Sequence, residues 1–174
     1  MSDMEREQAV SFKGNPMTLV GPALQAGDKA PAFRVVANDL THVSSETLVG
    51  GKAVLLSAVP SLDTGICDAE TRRFNEEAGK RGDKVSIITI SHDLPFAQSR
   101  WCGAAGIENV KTYSDYYFRE FGPAYGCFVK ELGILSRAVF VVDADGVIRY
   151  VEYVPEIAQH PDYEKALAAL DALL

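Results

Sequence analysis

Two short runs, Val54-Leu55-Leu56-Ser57-Ala58-Val59 and Val85-Ser86-Ile87-Ile88-Thr89-Ile90, are apolar at nearly every position. A strand with one wet face alternates polar and apolar residues, so unbroken runs of this kind predict strands covered on both faces. Between them, Asp68-Ala69-Glu70-Thr71-Arg72-Arg73-Phe74-Asn75-Glu76-Glu77-Ala78 has helical character, with Gly79 as its stop. A chain that must cover both faces of a sheet with helices is confined to an α/β layer architecture.

The other elements fit that frame. Ala9–Phe12 and Met17–Val20 flank Lys13-Gly14-Asn15-Pro16 and predict an N-terminal hairpin. Gly21 to Pro31 is punctuated by Gly and Pro and reads as a loop, Phe33–Ala37 as a short strand, and the polar stretch to Gly51 as loop with one helical turn. A helix begins near Pro95 and is closed by Gly103 and Gly106; Val110–Tyr113 is a strand, and Asp115 caps a short helix over 116–121. Ala138–Val142 and Val147–Val151 bracket Asp143-Ala144-Asp145-Gly146, an Asp-Gly hairpin. Tyr163, Leu167, Leu170 and Leu174 form one apolar stripe on a closing helix. The expected fold is a mixed central sheet with helices on both faces, and the 174 residues make one domain, 1–174.

Chemistry is expected in the loop Pro60-Ser61-Leu62-Asp63-Thr64-Gly65-Ile66-Cys67. Thr64 is a good N-cap, which places Cys67 in the first turn of the following helix. A sulfur there meets unpaired backbone N–H groups and the positive end of the helix dipole, a setting that favours the nucleophilic thiolate. Placement alone is equally compatible with a small buried hydrophobe. Asp63, Asp68 and Glu70 leave the loop without a local cation; Arg137, at the start of a strand, is a candidate to supply one, although its position alone favours a surface arginine at a strand end. Pro60 withholds a backbone N–H and shields the site from water.

Three cysteines, Cys67, Cys102 and Cys127, have no paired spacing and no metal-ligand cluster, which argues against zinc. Cys127 sits in an apolar setting and reads as a structural thiol. Of the histidines, His92 alone falls near the active end of the sheet, a weak basis for a Cys–His hydrolase. A net charge of −7 argues against a nucleic-acid or anionic-membrane surface, and no apolar run reaches the roughly 20 residues of a membrane span. The polar, acidic N-terminus has no signal-peptide core, so a cytoplasmic location is expected.

Pro60, Thr64 and Cys67 fall in the order P-x-x-x-T-x-x-C, which resembles the peroxidatic motif of the peroxiredoxins, and the full 60–67 string resembles their bacterial thiol peroxidase branch. Ser91-His92-Asp93-Leu94-Pro95-Phe96-Ala97-Gln98-Ser99-Arg100-Trp101-Cys102-Gly103 is similar to the resolving-cysteine helix of that branch, and Ser136-Arg137-Ala138-Val139 to the segment bearing the active-site arginine. The resemblance implies a thioredoxin-like fold and reduction of hydrogen peroxide and alkyl or lipid hydroperoxides. It implies Cys67 as nucleophile, Cys102 as its intramolecular disulfide partner, and Thr64, Arg137 and Pro60 as supporting residues. Thioredoxin as reductant, a homodimer, and no metal or organic cofactor are implied as well. A non-catalytic redox sensor or binding module on the same fold is the alternative.

Overall fold

The computed structural model describes residues 4–174. The N-terminal hairpin is present and longer than expected, with β1 (Glu5–Phe12) antiparallel to β2 (Asn15–Val20). After a loop come β3 (Arg34–Ala37), β4 (His42–Ser44) and the single turn α1 (Ser45–Leu48). The two apolar runs form β5 (Ala53–Ala58) and β6 (Val85–Ser91), joined by α2 (Gly65–Arg81). Then follow α3 (Pro95–Ala105), β7 (Lys111–Ser114), α4 (Phe121–Ala124), β8 (Phe128–Val129), β9 (Ile134–Leu135), β10 (Ala138–Val142), β11 (Ile148–Tyr153) and α5 (Tyr163–Asp171).

A seven-stranded mixed sheet has the order β11-β10-β5-β6-β7-β3-β4. Strands β5, β6 and β7 are parallel neighbours, while β10 runs antiparallel to β5. Because side chains alternate across a strand, Leu55 and Leu56 face opposite layers. On the Leu55 side, Phe74 and Ala78 of α2 and Ala166, Leu167 and Leu170 of α5 pack against Ile87, Val139 and Val141. On the Leu56 side, Phe121, Tyr125 and Phe33 pack against Ile88, Ile90 and Phe140, with Leu48 of α1 at the margin. The successive crossovers β5–α2–β6 and β6–α3–β7 step the same way along the sheet, so right-handed connections put α2 and α3 side by side on one face.

Several boundaries differ from expectation. Helix α2 runs through Gly79 to Arg81 and stops at Gly82, whose φ of 58° few other residues accept. Lys80 and Arg81 sit in its last turn, where the helix dipole favours cations. Gly79 serves packing instead, since a Cβ there would lie 3.0 Å from Asn109 Nδ2. Gly103 lies inside α3, and Gly106 in the left-handed region ends it. The helix expected over 116–121 is a turn followed by α4, whose N-cap is Glu120 rather than Asp115; the Asp115 carboxylate instead reaches across the turn and accepts from the Phe121 and Gly122 N–H groups.

The N-terminal hairpin is not isolated. Strands β8 and β9, too short to show a period, extend it into a second sheet of order β1-β2-β8-β9. Gly21 and Gly126 let that sheet close on the rest of the chain. A Cβ on Gly21 would stand 1.9 Å from the Pro123 carbonyl oxygen, and one on Gly126 1.9 Å from that of Pro22.

Candidate active site

The start of α2 lies at the C-terminal end of β5, where α/β sheets hold their sites. The loop from Pro60 to Thr64 is held by the end of β6 and the turn after it. Val59 N–H donates to the Ile90 carbonyl, and the Asp93 carboxylate accepts from Ser61 Oγ at 2.7 Å and Leu62 N at 2.8 Å. The N-cap predicted at Thr64 is present: its hydroxyl accepts from Cys67 N at 3.4 Å and donates to the Ser61 carbonyl at 3.0 Å. Cys67 is fully buried, packed with Val59, Leu62 and Trp101.

Arg137 reaches this thiol because β10 is antiparallel to β5. Ala138 pairs with Ala58, so the residue just before β10 stands beside the end of β5. Its guanidinium is spread over three acceptors: one Nη meets Cys67 Sγ at 3.3 Å, the other meets Glu70 Oε2 at 2.6 Å, and Nε donates to the Ile157 carbonyl at 2.9 Å. Glu70 is fully buried one turn after Cys67 on the same helix face, and its second oxygen accepts from Ser57 Oγ at 2.8 Å. Burial pushes the Glu70 carboxyl above its ordinary range, against the pull of Arg137 and Ser57. Burial pulls the Arg137 guanidinium down, but the charges of Glu70 and Cys67 outweigh it and hold the group cationic.

Glu70 and Ser57 are the residues that inspection of the sequence overlooks. Glu70 reads there as one more acid beside the thiol, although its spacing from Cys67 already puts it on the buried face. Only the register of β10 shows that it anchors the arginine.

Pro60, Thr64 and Arg137 line one pocket of about 420 Å³ with mainly apolar walls, within the range of small-ligand sites. Neither Cys67 nor Cys102 lines it; Arg137 connects it to the buried Cys67 sulfur. The half-buried Cys102 thiol lies 3.5 Å from Thr112 Oγ1 and borders a different cavity with Asn38 and Tyr113. The two helices nevertheless touch beside their cysteines, where Trp101 Nε1 donates to Asp68 Oδ1 at 2.8 Å. All three thiols are free. Cys127 is fully buried, and burial, with Asp115 adding to it, pushes its thiol far above the ordinary value. His92 meets Asp115 and the Gly133 carbonyl rather than a cysteine. Among the described residues there is no group of metal-ligating side chains, and no helix is long and apolar enough to cross a membrane.

A buried cysteine opening a helix, faced by an arginine, on a thioredoxin-like sheet defines a class. The chain belongs to the Redoxin family, whose model matches residues 25–167. It is 55% identical to a thiol peroxidase of Halalkalibacterium halodurans, over 95% of this chain and 99% of that protein. It is 53% identical to one of Bacillus subtilis, over 95% and 98%. A peroxiredoxin-like protein from Aquifex aeolicus superposes with a TM-score of 0.88 at 40% identity, covering 96% of this chain and 98% of that one. The activity these relatives establish is that of a thiol-dependent peroxidase, an oxidoreductase of the peroxiredoxin type, which sets aside the non-catalytic alternative.

Proposed function

We propose that Cys67 reduces hydrogen peroxide and organic hydroperoxides, and that Cys102 and thioredoxin return it to the thiolate. The observation that carries this is the 3.3 Å contact of Arg137 with Cys67 Sγ, beside a pocket lined by Pro60 and Thr64. The thiolate attacks the terminal oxygen of ROOH, the O–O bond breaks, Cys67 becomes a sulfenic acid, and RO⁻ leaves as ROH by taking from solvent the proton the thiol released on ionising. Arg137 is placed to stabilise both the thiolate and the charge that develops on the departing oxygen. Thr64 caps the helix that presents the sulfur, and Pro60 removes a competing donor from the pocket.

The Cys102 thiol then displaces water from the sulfenic acid, forming an intramolecular disulfide. Since the two thiols border different surroundings, the turns around them must open first. A dithiol of the thioredoxin type takes up the disulfide by exchange, which suits a reducing, cytoplasmic setting. No metal or organic cofactor enters these steps. The chain acts as one domain and pairs as a homodimer. Leu94, Phe96 and Tyr117, large and exposed, support pairing, and the Ser114 hydroxyl's bond to the Asp93 carbonyl draws their two segments together.

The test is peroxide consumption coupled to thioredoxin, thioredoxin reductase and NADPH, with wild type, Cys67→Ser and Cys102→Ser run in parallel. Turnover in the wild type and none in Cys67→Ser is expected. Equal turnover in wild type and Cys102→Ser would overturn the role of Cys102.

A further inference from the structure

The turn of the N-terminal hairpin reaches the pocket beside Arg137, whose lining brings Phe12 and Lys13 together with Pro60 and Ile66. A hairpin tip is ordinarily among the most mobile parts of a fold. This one is fastened. The Glu156 carboxylate accepts from Lys13 N at 2.7 Å, from Gly14 N at 3.3 Å and from Ser11 Oγ. Lys13 and Gly14 both have positive φ, 52° and 82°, which turns consecutive N–H groups onto the carboxylate as a cradle. A lysine holds that conformation at a cost of order 1 kcal/mol, so the surroundings must enforce it. The backbone adds two more ties, Ser11 N to the Pro155 carbonyl and Ile157 N to the Ser11 carbonyl.

The segment that holds the hairpin tip is also the one that holds the arginine, since the Ile157 carbonyl accepts from Arg137 Nε. Pocket wall and active-site cation thus share one anchor. The pocket's 420 Å³ is far more than hydrogen peroxide occupies, given roughly 30 Å³ per water in the liquid. Its mainly apolar lining suits an organic substituent better than so small and polar a substrate.

We propose that Glu156 is a positioning residue which cradles the hairpin tip and so seats Phe12 as the wall that grips the organic half of a bulky hydroperoxide. The hairpin is then the element that sets preference between organic and inorganic peroxide. This rests on the peroxidase reading at Cys67.

The test is the ratio of kcat/KM for cumene hydroperoxide to that for hydrogen peroxide, in wild type, Phe12→Ala and Glu156→Ala. The ratio is expected to fall about tenfold in each variant, equivalent to about 1.4 kcal/mol. A purely structural role would depress both substrates alike and leave the ratio unchanged. A ratio within twofold of wild type in both variants overturns the proposal; a fall in Phe12→Ala alone removes Glu156 from it. Should Phe12→Ala not fold, Phe12→Leu and Glu156→Ala carry the same comparison. Failure of the wild type to consume either peroxide would instead overturn the function assigned to Cys67.

Discussion

Trp101 donates its indole N–H to the Asp68 carboxylate at 2.8 Å, joining the neighbour of Cys102 to the neighbour of Cys67. Arg72 completes the junction, bonding the other Asp68 oxygen at 2.8 Å with its guanidinium 5.7 Å from the indole centre. The bond closes α2 against α3 at the place where the proposed disulfide requires both to open. Trp101→Phe keeps the ring and deletes the donor. Hydrogen exchange in 64–72 and 95–105 should quicken about fivefold, reflecting about 1 kcal/mol lost for a bond to a partly exposed charge. Unchanged exchange in both segments would show that the bond does not restrain opening.

Oxidation by one equivalent of peroxide should link Cys67 to Cys102 within one chain and leave Cys127 reduced. Cys127 is buried in the core on the Leu56 side of the large sheet, with its thiol pushed up by burial, so neither access nor ionisation favours it. Peptide mapping reads the outcome; a Cys67–Cys127 peptide or an interchain bridge would refute the pairing.

Glu70→Ala should be costly. It leaves the Arg137 guanidinium buried with one carboxylate removed, a kind of change that typically costs about 3–5 kcal/mol. Urea unfolding measures the loss. Alkylation of Cys67 should also change, because the guanidinium that faces its sulfur is no longer held. A stability change under 1 kcal/mol would mean that Arg137 finds another partner.

The acid side of the stability profile should reflect Glu77 and Asp171. Bonds from Arg81, joined at Glu77 by Lys80, hold both carboxyls below their ordinary values of 4.5 and 3.8. A depressed carboxyl contributes fully above its unfolded value and loses that contribution as pH falls through the folded one. Glu77→Gln should therefore cost about 1 kcal/mol at pH 7, with the gap to wild type closing as pH falls below the ordinary value of 4.5 and through the depressed folded one. A gap independent of pH would assign the effect to packing.

Arg137→Met should slow alkylation of Cys67 at neutral pH at least tenfold, since it deletes the cation 3.3 Å from the sulfur. An unchanged rate would leave activation to the N-terminus of α2 alone.

Local chemistry explains what the linear chain determined. Unbroken apolar runs required a sheet covered on both faces, and a threonine three positions before Cys67 required a capped helix start with the thiol in its first turn. Those features depend on neighbours within one or two turns, so they are written in adjacent residues. Gly79 misled because a glycine's freedom marks a possible stop, while close packing against Asn109 is invisible along the chain. The partners of Cys67 were decided by the tertiary structure. The antiparallel register of β10 on β5 brings Arg137 to the sulfur and Glu70 to the arginine, converting an apparently repulsive acid into an anchor. The same holds for Phe12 in the pocket lining and Trp101 on Asp68. Each is a contact across the fold between residues distant in sequence, set by the order and register of strands, which no local pattern encodes.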